Sequence, residues 1–183
     1  MTTDSPVGGV VSPQNSIFLV GFMGAGKTSV GRALSRRLRW PFHDLDDCIQ
    51  ARSGRSIEQI FRQSGESEFR REEHAALRAL LEQLTAAAVI ALGGGAFAQA
   101  ENRELLGSAR TVFLHADLEE LRRRCQADGV KRPLLRDPEH FRRLYDSRMA
   151  SYLGASLHIE TGGKDVETVV TEIVTKFTLD AVG

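Results

Sequence analysis

The chain has 183 residues and a mass of 20.2 kDa, which suits one domain, since domains run roughly 100–200 residues. Its 24 Lys and Arg balance its 24 Asp and Glu, and this zero net charge argues against nucleic-acid binding by bulk electrostatics and against a polybasic membrane anchor. No apolar run reaches the roughly 18 residues of a membrane span, and two cysteines cannot build a disulfide framework. We therefore expect a cytoplasmic monomer without nucleic-acid or membrane partners.

The sequence predicts that the chain divides into an N-terminal tail and one folded domain. Residues 1–15 are polar and rich in Gly and Pro, which predicts a flexible N-terminal tail without the features of a signal peptide. Residues 16–179 are predicted to form the single folded domain.

Short apolar runs alternate with helical patterns along the body of the chain. The runs predict five strands, at 17–20, 41–44, 89–92, 111–114 and 156–159. Between and after them, the 3.6-residue periodicity and the capping residues predict helices at 27–38, 46–52, 67–84, 101–106, 117–125, 139–150 and 165–177. Ser56 and Gln59 match a capping box, and a break is predicted at Ser64 and Gly65. This alternation predicts an α/β fold with a five-stranded parallel sheet flanked by helices, whose ligands bind beyond the carboxyl ends of the strands.

The sharpest motif is the segment Gly21–Thr28, which fits G-x-x-x-x-G-K-T. The glycines let successive N–H groups point at one anion, and the following helix presents its positive end to phosphates. Lys27 is predicted to reach the β- and γ-phosphates, and Thr28 to offer its hydroxyl to Mg²⁺. A strand before the motif and a helix after it supply the required context, so we predict a nucleoside triphosphate site. A GTP-driven switch is disfavoured because the sequence lacks the base-reading N-K-x-D element.

Three carboxylates, Asp44, Asp46 and Asp47, follow the second strand. The third strand ends in glycines and carries no acid, so Asp44 is the best candidate for the metal-side carboxylate. Asp46 could orient or deprotonate an acceptor hydroxyl, as a kinase aspartate does. The alternative that Asp46 and Asp47 only cap a helix stays open.

Bare backbone at residues 93–95 and isolated arginines complete the candidate acceptor side. The glycine triplet suits the close approach of a small ligand, although a simple tight turn would also explain it. Arg70, Arg132 and Arg148 stand at separate positions, and each by itself could equally be a solvated surface residue.

As a set, these motifs resemble the shikimate kinase family. The resemblance rests on the phosphate loop from Gly21 to Gly31, the D-x-D element at Asp44 and Asp46, the segment from Gly54 to Glu73, the glycine triplet, Arg132-Pro133-Leu134-Leu135 and Arg148-x-x-x-Tyr152. The matches keep the family's order over about residues 17–177. In one departure, Ala150 stands where the family's closing motif usually has proline.

The resemblance implies transfer of the γ-phosphoryl group of ATP to the 3-hydroxyl of shikimate, with Mg²⁺, on the route to chorismate and the aromatic amino acids. It also implies a P-loop kinase fold of the nucleoside monophosphate kinase type, with a substrate-binding segment at about 45–75 and a mobile lid at about 126–138. By residue, it implies a catalytic set of Lys27, Asp46 and Arg132. It implies that nucleotide is bound by Gly24, Ala25, Gly26, Lys27, Thr28, Ser29, Arg124 and Arg132. It implies that shikimate is bound by Asp46, Arg70, Gly93, Gly94, Gly95 and Arg148, and the metal by Thr28 and Asp44.

Two other classes of function remain as alternatives. One is a P-loop kinase for another acceptor, such as gluconate or a nucleoside monophosphate. The other is a non-catalytic ATP-binding module that regulates a partner, which the retention of the complete candidate set disfavours.

Overall fold

The computed structural model describes residues 15–127 and 137–179. The predicted tail, except for Asn15, therefore lies outside the described residues, and so do residues 128–136 of the predicted lid, with Arg132. The strands are β1 (Ile17–Val20), β2 (Phe42–Asp44), β3 (Val89–Ala91), β4 (Arg110–His115) and β5 (Leu157–Glu160). The helices are α1 (Lys27–Leu38), α2 (Leu45–Ser53), α3 (Ile57–Gln83), α4 (Ala100–Leu106), α5 (Leu118–Ala127), α6 (Pro138–Tyr152) and α7 (Val166–Lys176), with a 3₁₀ turn at Ala96–Ala98.

The five strands form one sheet in the order β2-β3-β1-β4-β5, and every neighbouring pair is parallel. The predicted α/β fold with a five-stranded parallel sheet is therefore confirmed. β1 lies at the centre, and all four of its residues are buried, which explains its continuous apolar sequence. Because the strands run in one direction, the segments that follow β1, β2 and β3 meet at one edge of the sheet.

Helices cover the sheet through the apolar stripes that the sequence predicts. Val30, Leu34 and Leu38 of α1 are buried, as are Val169 and Ile173 of α7, and α1 packs against α7. Burying a side chain of this size contributes roughly 1.5–3 kcal/mol. In the part of the chain that the structure describes, no helix combines the length and the apolar character needed to cross a bilayer.

The start of α2 differs from the prediction. The helix begins at Leu45, and its N-cap is Asp44, whose side chain accepts a hydrogen bond from the backbone N–H of Asp46. Asp46 and Asp47 lie in the first turn, so the alternative that these two residues cap the helix is wrong. The cap falls earlier because β2 passes into α2 without a loop, and Asp44 is the extended residue at the junction.

The capping box and the break in the third helix are both observed. Ser56 accepts from the N–H of Gln59 at 3.2 Å, and the Gln59 side chain accepts from the Ser56 N–H at 2.8 Å. α3 runs through the predicted break, but Gly65 has φ 78° and ψ −179°, which is not helical. This kink separates the first turns of α3 from the straight segment that carries Arg70.

Candidate functional site

Glycines shape the loop between β1 and α1. Gly21 has φ 145° and Gly24 has φ 78°, a range that L side chains rarely adopt. A Cβ at Gly24 would also lie 2.7 Å from the carbonyl oxygen of Leu121. The chain can therefore turn tightly from β1 into α1 while lying directly on α5.

The first turn of α1 carries no competing negative charge and opens on a cavity. Its N-cap, Gly26, supplies no side-chain hydrogen bond, and no acidic residue lies in the first turn. The first N–H groups of a helix have no partners within it and carry the positive end of its dipole. The start of α1 is thus suited to an anion such as a phosphate.

Lys27 lies inside this turn. Its ammonium nitrogen donates to the carbonyl oxygens of Gly21 and Phe22, both at 2.9 Å. The loop therefore wraps around its own lysine and fixes a positive charge at the wall of the cavity, which Lys27 lines.

Thr28 and Asp44 bring a hydroxyl and a carboxylate together from two elements. Thr28 Oγ1 donates to Asp44 Oδ2 at 2.8 Å, and Asp44 Oδ1 accepts from the Asp46 N–H at 3.1 Å. Oxygen ligands of this kind suit Mg²⁺, which commonly takes the rest of its shell from water and phosphates. Within the described ranges, no group of three His, Cys, Asp or Glu residues is arranged to hold a metal. A divalent cation at Thr28 and Asp44 would therefore need ligands from a bound nucleotide.

A cavity of about 780 Å³ joins the phosphate loop to the segments after β2, β3 and β5. Its wall includes several residues predicted to bind nucleotide, acceptor or metal: Gly24, Ala25, Gly26, Lys27, Thr28, Ser29, Asp44, Asp46, Gly93, Gly94 and Arg124. The cavity is large enough for a small-molecule ligand, since such sites measure roughly 300–1,000 Å³.

Residues 93–95, the glycine triplet after β3, each lie against a different predicted acceptor residue. A Cβ on the first glycine would lie 2.9 Å from Asp46 Oδ1, and one on the second 3.3 Å from Arg148 Nη1. A Cβ on the third would lie 2.5 Å from Arg70 Nη1. The structure therefore gathers one carboxylate and two guanidinium groups around a turn that has no room for side chains.

Arg70 is held by two carboxylates of its own helix. It donates to Glu73 Oε2 at 2.8 Å and to Glu66 Oε1 at 3.0 Å. Glu73 is only 1% exposed, and its Oε1 has no hydrogen-bond partner among the described residues. Burial raises the pKa of Glu73 above its usual value, Arg70 opposes this rise, and the nearby Asp46 adds to it. Glu73 therefore fixes the Arg70 guanidinium from a buried position beside the triplet.

Arg148 reaches the triplet from α6. Its guanidinium lies 5.6 Å from the centre of the Phe22 ring, a distance at which cation–π attraction operates. Phe22 also meets the rings of Phe141 and Tyr145 edge-on, at 5.1 and 5.5 Å. α6 is thus seated on the phosphate loop, and this contact sets where Arg148 lies.

Arg124 lies on the other side of the same cavity. It donates to Glu120 Oε1 at 2.8 Å, to Thr161 Oγ1 at 3.1 Å and to the Thr161 carbonyl oxygen at 2.8 Å. Hydrogen bonds from Arg123 and Arg124 lower the pKa of Glu120 to about 2. The guanidinium of Arg124 is therefore fixed between α5 and the segment after β5, away from the acceptor residues.

Three residues near the site had no role in the sequence-based prediction: Glu73, Tyr152 and Thr161. Glu73 could have been found from the i, i+3 spacing with Arg70, which favours an ion pair on a helix. Nothing in the sequence alone indicates that Thr161 supports Arg124, because the two residues meet only after the sheet has formed.

A sequence model of shikimate kinase matches residues 23–178 of this chain. The shikimate kinase of Geobacter sulfurreducens is 44% identical over 170 residues, which cover 91% of this chain and 92% of that protein. This chain belongs to the shikimate kinase family.

Solved structures agree with this membership of the shikimate kinase family. The shikimate kinase of Acinetobacter baumannii, solved in complex with shikimate, is 36% identical and superposes with a TM-score of 0.81, covering 89% of this chain and 92% of that one. A gluconokinase from Sinorhizobium meliloti is 18% identical with a TM-score of 0.64, covering 92% of this chain and 94% of that one. The latter likeness shows the shared P-loop kinase fold alone.

Proposed function

We propose that this chain transfers the γ-phosphoryl group of ATP to the 3-hydroxyl of shikimate, as a step in aromatic amino acid biosynthesis. The observation that carries the proposal is the glycine triplet, where Asp46, Arg70 and Arg148 meet beside the phosphate loop. A carboxylate and two guanidinium groups suit an acceptor that has both hydroxyls and a carboxylate of its own. We further propose that the enzyme works as a cytoplasmic monomer built from one domain, residues 16–179, with acceptor contacts from about 45–75 and a lid at about 126–138.

The nucleotide phosphates are proposed to bind the backbone N–H groups of Gly24, Ala25 and Gly26 and the start of α1. Lys27 would exchange its bonds to the loop carbonyls for bonds to phosphate oxygens. These groups are already aligned and partly shielded from water, so they stabilise the charge on the transferring phosphoryl group without large rearrangement. Ser29, which lines the same cavity, is also proposed to contact the nucleotide. Arg124 is proposed to contact the base of the nucleotide.

Thr28 and Asp44 are the residues proposed to hold Mg²⁺ together with the nucleotide. When bound, this ion neutralises charge on the phosphates and helps to align them. The hydroxyl and the carboxylate lie within hydrogen-bond distance of each other, so one ion could contact both, directly or through water.

Arg70 and Arg148 are proposed to bind the acceptor carboxylate. Guanidinium groups can form paired hydrogen bonds with a carboxylate, which fix its orientation as well as its position. Residues 93–95 would let the acceptor ring approach the backbone closely.

Asp46 is proposed to align the acceptor hydroxyls and to receive the proton of the 3-hydroxyl. As the new bond between that oxygen and the γ-phosphorus forms, the bond from phosphorus to the leaving oxygen of ADP breaks, and the proton passes to an Asp46 carboxylate oxygen. Phosphoryl transfer needs little covalent help from the protein, so this alignment and the cationic residues Lys27 and Arg132 are expected to provide most of the acceleration.

The test is ADP release from purified protein supplied with ATP and Mg²⁺, with and without shikimate. We expect release that depends on shikimate, and ³¹P NMR of the product should identify a phosphate ester at the 3-position. Gluconate and a nucleoside monophosphate serve as competing acceptors in parallel assays. Faster turnover of either of them, or no acceptor-dependent release at all, would contradict the proposal.

A further inference from the structure

Tyr152, the last residue of α6, is a fully buried side chain with a polar tip. It is 0% exposed, and its hydroxyl hydrogen-bonds to the carbonyl oxygen of Gly94. Its ring is stacked on Phe113 of β4 with the centroids 5.1 Å apart and the planes at 27°. The ring is therefore anchored to the sheet, and this anchoring fixes where the hydroxyl lies.

The hydrogen bond of this hydroxyl has one possible direction. The Gly94 carbonyl oxygen can only accept, so the Tyr152 hydroxyl donates to it. The positive charge of Arg148 lies close enough to the Tyr152 hydroxyl to oppose the rise of its pKa. Burial raises the pKa of Tyr152 to about 12, so the hydroxyl keeps the proton that this arrangement needs.

Gly94 is the residue at which the two halves of the site come closest. A Cβ there would lie 3.3 Å from Arg148 Nη1, 3.7 Å from the backbone nitrogen of Met23 and 3.8 Å from the carbonyl oxygen of Gly21. The backbone of Gly94 is thus placed between the phosphate loop and one arginine of the acceptor site. A group that fixes the Gly94 backbone therefore helps to set the distance between that arginine and the loop.

We propose that Tyr152 is a positioning residue for the acceptor: its hydroxyl holds the Gly94 carbonyl oxygen and so keeps the Gly94 backbone, against which the Arg148 guanidinium lies, in register with the phosphate loop. The role rests on the proposed function, because it assumes that Arg148 binds the acceptor carboxylate. A residue needed only for packing would not carry this hydroxyl, since phenylalanine fills the same space beside Phe113 without burying a polar atom.

Tyr152→Phe is the variant that tests this role, with Tyr145→Phe as the matched control on the same helix. The Tyr145 hydroxyl bonds to His115 Nε2 at 3.1 Å instead of the triplet. We expect Tyr152→Phe to lower kcat/KM for shikimate about 10-fold, mainly through KM, because the hydrogen bond that fixes the Gly94 backbone beside Arg148 is lost. The KM for ATP should stay within about twofold of the wild type, and Tyr145→Phe should leave both values within that range.

A double-mutant cycle separates positioning from general loosening of the structure. In an Arg148→Ala background, Tyr152→Phe should change kcat/KM for shikimate by less than about twofold, because the hydroxyl acts through the missing guanidinium. A full 10-fold effect in that background, or an unchanged KM for shikimate in Tyr152→Phe alone, would overturn the role. The wild-type enzyme in the same assay reports separately on the proposed function: if it does not turn over shikimate, both proposals fail.

A second measurement does not depend on the folding of Tyr152→Phe. The chain has two tyrosines, so 3-fluorotyrosine incorporated into Tyr145→Phe places a single ¹⁹F label at position 152. We expect its resonance to shift when shikimate saturates the protein, since the hydroxyl bonds to Gly94, whose backbone lies against the guanidinium proposed to bind the acid. A resonance that does not move while calorimetry detects binding would overturn the role.

Discussion

Gly95→Ala is predicted to impair the acceptor site without touching a charged group. The backbone of Gly95 has φ −110° and ψ −12°, which alanine adopts without strain, so the new methyl group acts through its volume alone. Its carbon would lie 2.5–2.8 Å from three atoms of the Arg70 guanidinium, whereas comfortable contact needs roughly 3.5 Å. The guanidinium must therefore move by about 1 Å, and this movement strains its 2.8 Å bond to the buried Glu73.

A displacement of about 1 Å in a positioning group can cost about 100-fold in rate. We expect Gly95→Ala to lower kcat/KM for shikimate by roughly that factor, while the affinity for ATP, measured by calorimetry, stays unchanged. The control is the same substitution in Arg70→Ala, a variant in which acceptor binding should already be strongly weakened while ATP binding is retained. If Gly95→Ala binds shikimate normally, or is equally harmful with and without Arg70, the steric argument is wrong.

Three further predictions address the nucleotide site, the buried acid and the third helix. Lys27→Ala should abolish turnover, because Lys27 is the one cationic side chain in the segment Gly21–Thr28. A rate within about 10-fold of wild type in the coupled ADP assay would remove Lys27 from catalysis. Because burial raises the pKa of Glu73, the folded protein holds this proton more tightly than the unfolded chain. The stability that Glu73 contributes is therefore full below its ordinary pKa and is lost as pH rises through the raised pKa. Between these two pKa values, the thermal midpoint of the wild type should fall with rising pH relative to that of Glu73→Gln. A constant or rising difference between the two midpoints would contradict a raised pKa of Glu73. Ser56→Ala should cost about 1 kcal/mol of stability through loss of the capping box. We expect a lower thermal midpoint and an unchanged affinity for ATP. An unchanged midpoint would show that the helix does not need this cap.

Local signals in the sequence predicted most of the fold. The apolar run of β1, the spacing of Gly21–Thr28 and the periodicity of α1 are contained within short stretches, so they could be read without tertiary information. The cap at Ser56 was predictable for the same reason, and its side chain accepts the expected backbone hydrogen bond. The order of the strands in the sheet left no such local signal.

The support of the candidate site could not be predicted in the same way. Glu73 becomes important because α3 buries it beside the triplet, and Tyr152 because α6 brings its hydroxyl to Gly94; both effects arise from packing between distant segments. Asp44 was singled out for a metal, but its second role as the N-cap of α2 depends on the absence of a loop after β2. The resemblance to a family supplied the positions of Arg70, Arg124 and Arg148, which carry no distinguishing local pattern.

The crowding around residues 93–95 has a consequence for redesign of this enzyme. All three positions face a functional side chain at van der Waals distance or closer, so a library that varies them would mostly yield inactive proteins. A safer target is Phe61, which is 40% exposed and packs on Phe69, whose ring centre lies 5.2 Å from the Arg70 guanidinium carbon. Varying Phe61 alone would alter the surroundings of Arg70 while the triplet and its direct partners stay intact.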